Sequence, residues 1–173
     1  MKKQNILEEI SALITEDEII MFQELQIKIK ELNNKTNLTR LIDGDDYWIS
    51  QVFDSIWPFK TFQNINFDNK KFLDIGSGCG FPGLAYAITH PTSEIYLVDS
   101  SKKKTDALKS IIKEINFKSN IHVINARVEN LAHQSSMRNS FDIATTRAVS
   151  NPSTVSEYIL PMLKKEGLGV LYC

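Results

Sequence analysis

Residues 74–83 read Asp-Ile-Gly-Ser-Gly-Cys-Gly-Phe-Pro-Gly. A short apolar run at 71–75 predicts a strand that leads into this glycine-rich turn, and a helix is predicted near 83–90. Glycine lets a backbone turn tightly and approach a ligand closely. The spacing Gly-x-Gly-x-Gly departs from the dinucleotide fingerprint Gly-x-Gly-x-x-Gly, whose third glycine would fall at Phe81. The turn therefore favours a nucleoside with an amino-acid tail over a pyrophosphate docked on the helix.

Outward from the turn, the sequence alternates between short apolar strands and helices. Further strands are predicted at 94–99, 121–126, 141–146 and 169–172. Helices are predicted near 83–90, 102–116 and 152–165. Strands that alternate with helices pair in parallel, so we expect an α/β fold with an open, doubly wound, Rossmann-like sheet. Ligands then bind at the carboxyl edge of the sheet, where the strand order reverses.

Two acidic residues stand close to the predicted ligand edge. Asp99 ends the second strand, 19 residues beyond Gly80. A carboxylate there can accept hydrogen bonds from both ribose hydroxyls of any adenosine-containing cofactor, and capping the next helix is the alternative. Asp74 precedes the glycines, where it would repel a pyrophosphate but tolerate the ammonium and sulfonium of S-adenosylmethionine. Together, the spacing and the two acids favour S-adenosylmethionine over NAD.

The first third of the chain reads as helical. Thr15 followed by Glu18 is a capping-box signature at the start of an amphipathic helix. That helix is predicted to end at Asn33-Asn34, because asparagine disfavours a helix interior. A second helix is predicted from near Asp45, with Pro58 following its end.

These patterns predict two segments that form one compact unit. Residues 1–60 are expected to be a helical extension, and 61–173 an α/β domain that begins with a connector at 61–69. The chain stops at Tyr172-Cys173, inside or just after the fifth strand. Since a central strand rarely ends a domain, we expect that further C-terminal strands are missing.

Composition narrows the functional classes. Lys plus Arg is 20 and Asp plus Glu is 21, for a net charge of -1. A free-standing nucleic-acid binder is usually clearly basic, so any such contact must be a local patch. Cys79 and Cys173 lie too far apart for a disulfide framework or a zinc site, which favours a reducing, cytoplasmic setting and no metal. No apolar run is long enough to span a bilayer.

Several stretches, taken in order, resemble one family. They are residues 37–40 (Asn-Leu-Thr-Arg), 45–48 (Asp-Asp-Tyr-Trp), 54–55 (Asp-Ser), 74–83, 97–100 (Leu-Val-Asp-Ser), 127–129 (Arg-Val-Glu) and 146–148 (Thr-Arg-Ala). The chain resembles the bacterial small-subunit ribosomal RNA guanine-N7 methyltransferases, also called glucose-inhibited division protein B. The resemblance implies a class I methyltransferase fold that uses S-adenosylmethionine. The implied substrate is a guanosine in the decoding-centre loop of 16S rRNA, in the free RNA or in the 30S subunit, and the enzyme is expected to be a monomer.

The resemblance also implies a set of cofactor contacts. Carried over by position, they are Gly76, Gly78, Phe81, Asp99, Ser100, Ser101, Val128, Glu129 and Arg147. Basic residues that could meet RNA phosphate are Lys35, Arg40, Lys102 and Lys103. Lys102 and Lys103 could instead form only a solvated first helical turn. Arg147 could contact either the cofactor carboxylate or an RNA phosphate.

The chemistry requires no general base, because guanine N7 carries a lone pair and no proton. The three histidines, His90, His122 and His133, form no motif and read as surface or helix-end residues. No catalytic side chain is therefore predicted. We expect catalysis to come from alignment of N7, methyl carbon and sulfur.

Two departures from the family pattern leave alternatives open. Ser50 and Gln51 stand where related sequences have a Lys-His pair, and the family continues beyond the fifth strand. A non-catalytic or degenerate S-adenosylmethionine- or RNA-binding protein is therefore the main alternative. An NAD-dependent oxidoreductase is a weaker one, because Phe81 stands in place of a glycine.

Overall fold

The computed structural model of the chain describes residues 3–62, 64–147 and 152–172. Its centre is one sheet of five strands, β1 Lys71–Ile75, β2 Glu94–Asp99, β3 Asn120–Asn125, β4 Phe141–Arg147 and β5 Leu163–Tyr172. The strand order is β3-β2-β1-β4-β5, and every neighbouring pair is parallel. The order reverses between β1 and β4, where a doubly wound sheet opens a crevice at its carboxyl edge. The expected α/β fold class is confirmed.

Helices follow the strands on both faces of the sheet. They are α5 Gly83–Thr89, α6 Lys102–Glu114, α7 Val128–Leu131 and α8 Pro152–Ile159. The helix predicted over 152–165 is too long, because α8 ends at Ile159 and β5 already begins at Leu163. Pro161 explains the difference, since a proline disfavours helical backbone in the residue before it.

The N-terminal helices pack on one face of the sheet. They are α1 Lys3–Leu13, α2 Glu16–Thr36, α3 Gly44–Asp46, a π-helical segment Tyr47–Phe53 and α4 Asp54–Thr61. The capping box is confirmed: the Glu18 N–H donates to Thr15 Oγ1 and the Thr15 N–H donates to Glu18 Oε2. α2 runs past Asn33 to Thr36 and is followed by the C-cap residue Asn37, which has left-handed backbone at φ 49°. Asn33 tolerates the helix because its side chain bonds Thr39.

The expectation that Pro58 follows the second helix is wrong. Pro58 lies inside α4. A proline cannot donate an N–H to the helical ladder. The next turn is still closed by the Phe62 N–H, which donates to the Pro58 carbonyl at 3.3 Å.

The core has one cluster on each face of the sheet. Phe22, Leu25 and Tyr47 from the N-terminal helices are buried in the same cluster as Phe72 and Ile95 of the sheet. The opposite face is covered by α7 and α8, with side chains such as Val128, Leu131 and Ile159. The N-terminal helices therefore share one core with the face of the sheet that carries Phe72 and Ile95.

Candidate cofactor site

The glycine-rich turn after β1 is fastened to the end of β2. The Gly76 and Ser77 N–H groups both donate to the Val98 carbonyl, at 2.8 and 3.0 Å. Gly76, Gly78 and Gly80 have φ of 73°, 57° and 104°, which a side chain rarely allows. At Gly80 a Cβ would also lie 2.4 Å from a side-chain carbon of the following helix. Backbone conformation therefore favours glycine at all three positions, and close packing adds a second requirement at Gly80.

Asp99 holds this turn from the other side. Its Oδ2 accepts from the Gly78 N–H at 3.0 Å, and its Oδ1 accepts from the Ser101 N–H at 2.8 Å. Ser101 is the N-cap residue of α6. Asp99 therefore accepts from the N-cap residue itself and from no N–H within the helix, so it is not an ordinary side-chain cap of α6. Each carboxylate oxygen can accept more than one hydrogen bond, so acceptor capacity is left for a ligand.

Two adjoining cavities open at this edge. The first, of about 230 Å³, is lined by Ile75, Gly76, Val98, Asp99, Ser100, Ala126, Arg127, Val128, Glu129 and Tyr158. The second, of about 370 Å³, is lined by Leu38, Thr39, Leu41, Gln51, Gly76, Ser77, Gly78, Cys79, Phe81, Asp99, Ser100, Lys104 and Arg147. Gly76, Asp99 and Ser100 belong to both cavities, so a single ligand could occupy the two.

The structure brings together all but one of the predicted cofactor residues. Val128 and Glu129 line the first cavity, whereas Gly78, Phe81 and Arg147 line the second. Ser101 lines neither cavity, and its described contribution is the N–H that it donates to Asp99. Most of the Phe81 ring is buried, and it packs edge-on against Tyr47 with ring centroids 5.8 Å apart. Phe81 is thus mainly a core residue with one edge at the cavity.

Some lining residues were not predicted as cofactor contacts. Tyr158 donates its hydroxyl to Glu129 Oε1 at 3.2 Å, and no sequence motif marks it. Thr39 lies in a stretch that carries the family resemblance, so a signal existed for it. Gln51 was singled out only as a departure from the family pattern. Its place in the cavity wall depends on the packing of the N-terminal helices.

Asp74 faces inward rather than toward a ligand. Its carboxylate accepts from the Gly83 N–H at 3.1 Å and from the Thr145 hydroxyl at 3.0 Å, and it lines neither cavity. Burial raises the pKa of Asp74 to about 6, against the opposing effect of these hydrogen bonds. Asp74 connects the start of α5 to the sheet through these hydrogen bonds. This geometry does not favour a direct contact between Asp74 and the cofactor cation.

The predicted phosphate contacts lie outside the cavities. Lys35, Arg40, Lys102 and Lys103 are all exposed, and none lines either cavity. Lys102 pairs with Asp106 on the next turn at 2.8 Å. Lys104, which is half-buried, is the lysine that reaches the second cavity.

Arg147 joins the sheet to the N-terminal helices. Its guanidinium donates to the Ser50 carbonyl at 2.8 Å and to Gln51 Oε1. Within residues 3–62, 64–147 and 152–172, no carboxylate forms an ion pair with it. Arg147 is therefore held by neutral acceptors beside the cavity.

The histidines stand apart from this site. The expectation of surface or helix-end positions is incomplete for His90, which ends α5 but is buried against Tyr86. Burial lowers the pKa of His90 to about 4. His122 lies 3.0 Å from Glu94, and His133 is exposed. The described residues include no cluster of His, Cys, Asp or Glu suited to a metal, and none of their helices has the length and apolarity to cross a bilayer.

The chemistry of the paired cavities fits S-adenosylmethionine. Ile75, Val98 and Val128 supply apolar walls for a base, and Asp99 is an acceptor for ribose hydroxyls. The second cavity adds Arg147, a cation that suits the carboxylate of an amino-acid tail.

The sheet order, the glycine turn after β1 and the acid at the end of β2 define a class I S-adenosylmethionine-dependent methyltransferase fold. Coclaurine N-methyltransferase, bound to N-methylheliamine and S-adenosylhomocysteine, is similar at TM-score 0.59 and 17% identity, over 98% of this chain and 58% of that chain. A Geobacter sulfurreducens methyltransferase in complex with S-adenosylhomocysteine is similar at TM-score 0.57 and 14% identity, over 83% of this chain and 53% of that chain. Both similarities concern the fold.

Sequence comparison identifies the family. The model of the GidB family, described as rRNA small subunit methyltransferase G, matches residues 18–173. Ribosomal RNA small subunit methyltransferase G of Prochlorococcus marinus strain MIT 9312 is 89% identical over 173 residues, which is 100% of this chain and 73% of that protein. The same enzyme of strain NATL1A is 45% identical over 91% of this chain and 64% of that protein. The chain belongs to the rRNA small subunit methyltransferase G family.

Proposed function

We propose that this chain transfers a methyl group from S-adenosylmethionine to ribosomal RNA of the small subunit. Relatives that span the whole chain are named for this activity, and the fold belongs to the matching enzyme class. The observation that carries the proposal for this chain is the pair of cavities that meet at Asp99 and the glycine turn. When bound, the cofactor supplies an electrophilic methyl group on a sulfonium.

The finer proposal is that the acceptor is N7 of a guanosine in 16S rRNA, in the free RNA or in the 30S subunit. Guanine N7 already has a lone pair, so no side chain has to remove a proton. This agrees with a site whose described lining contains no histidine. N7 is inaccessible in the deep, narrow major groove of paired RNA, so the target base is expected to be unpaired or splayed out. We further propose that the enzyme acts as a cytoplasmic monomer.

The proposed roles of the chain's own residues follow from the geometry. Gly76 and Gly78 bring backbone close to the ligand, while Asp99 accepts from the ribose. Val128 and Glu129 border the base, and Ser100 lies between the cavities. Phe81 forms part of one wall with the edge of its ring. Ser101 acts through Asp99, and Arg147 provides a positive charge at the outer end.

RNA is proposed to approach over the second cavity. Its basic residues would be Lys104 and Arg147 at the mouth, with Lys35, Arg40, Lys102 and Lys103 further out. Because the net charge is only -1, this local patch must provide the attraction to phosphate.

We also propose that the helical extension, residues 1–60, and the α/β domain, residues 61–173, form one compact unit. The shared core cluster supports this, because side chains of α2 and of β1 are buried together. The link from Arg147 to Ser50 and Gln51 adds polar contacts across the same boundary.

The test is transfer of a labelled methyl group to 30S subunits, or to free 16S rRNA, that lack the modification. Nucleoside analysis of the product should show N7-methylguanosine. Loss of transfer in Asp99→Ala, with an unchanged circular dichroism spectrum, would tie the activity to the site. No label in RNA despite demonstrated cofactor binding would instead favour a non-catalytic binding protein.

A further inference from the structure

Gln51 is buried at the junction of three segments that surround the second cavity. The side chain is only 2% exposed, although it lines the cavity. Its Oε1 accepts from the Arg147 guanidinium at the end of β4. Its Nε2 donates to Thr39 Oγ1 at 3.0 Å and lies 3.8 Å from Cys79 Sγ in the glycine turn. One amide thus contacts the sheet, the loop after α2 and the cofactor turn.

The chemistry of its neighbours fixes the orientation of this amide. A guanidinium can only donate hydrogen bonds, so the Gln51 oxygen must face Arg147 and the nitrogen must face Thr39. Thr39 is itself fixed: its N–H and C=O both bond the Asn33 side chain, at 3.0 and 2.9 Å. The amide is therefore held on the Thr39 side and presents one oriented acceptor to Arg147.

Both described acceptors of Arg147 are uncharged. They are the Ser50 carbonyl and the Gln51 amide oxygen, and no carboxylate in the described parts of the chain forms an ion pair with the guanidinium. A carboxylate in the place of the amide would position Arg147 equally well but would compensate its charge. Asp54 and Asp74 interact electrostatically with Arg147 at longer range. The neutral Gln51 acceptor adds no further negative charge, so the guanidinium can still attract an anionic ligand in the cavity that Lys104 also lines.

We propose that Gln51 is a positioning residue that orients Arg147 for an oxyanion without adding a negative charge beside it. The inference deepens the proposed function and rests on it, because the oxyanion is either the cofactor carboxylate or an rRNA phosphate. Both are planar or tetrahedral groups that a guanidinium binds through paired N–H donors. Gln51 acts through Arg147 and touches no reacting atom.

The decisive variant is Gln51→Glu, which keeps an acceptor for Arg147 and adds a negative charge. It replaces the Nε2 donor by an oxygen that can accept from the Thr39 hydroxyl in return. A purely structural role predicts normal ligand binding, because the contact survives. The positioning role predicts that the melting temperature stays within a few degrees of the wild type while affinity for the oxyanion-bearing ligand falls roughly tenfold. Gln51→Leu, which removes the acceptor, should also weaken binding of the same ligand. Ser50→Ala is the control, because it keeps the carbonyl that holds Arg147.

Three ligands separate the two sources of the oxyanion. Calorimetry with S-adenosylhomocysteine and with 5′-methylthioadenosine, which lacks the amino-acid tail, tests the carboxylate. If Gln51→Glu binds only S-adenosylhomocysteine more weakly, the carboxylate is the partner of Arg147. If it binds both small ligands normally but unmodified 16S rRNA less tightly, the partner is a phosphate. In that case the slope of log Kd against log salt concentration should also be smaller by about one.

Three results would overturn the inference. The first is that Gln51→Glu binds all three ligands as the wild type does. The second is equal weakening of binding for all three ligands, and the third is unfolding of both Gln51 variants; either of these would show a structural role only. Failure of the wild type to bind S-adenosylhomocysteine would instead refute the proposed function itself. The two failures are therefore distinguishable.

Discussion

Replacing Asp99 by Asn changes the charge at the end of β2 while preserving the shape of the side chain. In the wild type, both carboxylate oxygens accept from backbone: Oδ2 from the Gly78 N–H at 3.0 Å and Oδ1 from the Ser101 N–H at 2.8 Å. An asparagine has only one acceptor oxygen, so one of these N–H groups would face an NH₂ donor. Because Asp99 is 7% exposed, water has little access to replace the lost partner.

The magnitude follows from that lost partner. A buried donor left unsatisfied costs about 1–3 kcal/mol, and a hydrogen bond to a charged group contributes about 1.5–3 kcal/mol. We expect Asp99→Asn to lower the free energy of unfolding by about 2 kcal/mol. For a chain of this size, that lowers the melting temperature by roughly 4–8 °C. The protein should therefore remain folded at 25 °C.

Apart from this loss of stability, Asp99→Asn should weaken cofactor binding. The asparagine can no longer accept charge-assisted hydrogen bonds from ribose hydroxyls, and a loss of about 1.5–3 kcal/mol corresponds to roughly a 10- to 150-fold weaker Kd. Isothermal calorimetry with S-adenosylhomocysteine at 25 °C measures this on folded protein. Asp106→Asn is the matched control, since Asp106 is exposed and pairs only with Lys102 among the described ion pairs. A folded Asp99→Asn variant that binds within twofold of wild type would refute the reasoning.

Three further predictions concern packing, pH and RNA. In Gly83→Ala, the new Cβ would lie 2.2 Å from a buried leucine side chain of β2, so we expect a loss of about 1–3 kcal/mol in urea denaturation; unchanged stability would contradict the close packing. Burial lowers the pKa of His90 to about 4 and raises that of Asp74 to about 6, so between these values unfolding takes up protons at His90 and releases them at Asp74. Uptake makes the unfolding free energy rise with pH, and release makes it fall. His90→Gln removes the first contribution, so its unfolding free energy should fall from pH 4 to pH 6 more steeply than that of the wild type; parallel profiles would be inconsistent with it. Lys104→Gln should weaken binding to 16S rRNA and reduce its salt dependence more than Lys102→Gln does, because Lys104 lines the cavity and Lys102 is paired; equal effects in filter binding would place RNA elsewhere.

The parts of the fold that sequence predicted well are those with local causes. β1 and β2 coincide with their predicted bounds, because short apolar runs between polar residues leave little choice of strand. The capping box at Thr15 needs only two side chains and the backbone between them. The approach of Asp99 to the glycine turn follows from parallel pairing, since Ile75 lies opposite Val98 at the ends of adjacent strands.

The parts that sequence missed depend on contacts distant along the chain. Gln51 faces Arg147 only because the π-helical segment and α4 pack on the sheet, and no local pattern encodes that pairing. His90 is buried because three aromatic rings enclose it: one from α4, one from the connector between α4 and β1, and one from α5. Asp74 turns inward because Thr145 on a neighbouring strand offers it a hydroxyl.

The most direct test of the account is a crystal structure of the protein grown with S-adenosylhomocysteine. We predict density that spans both cavities, with the ribose hydroxyls on Asp99 and the base against Val128. Density confined to another surface, or an empty crevice at saturating ligand, would contradict the claim that this edge of the sheet binds the methyl donor.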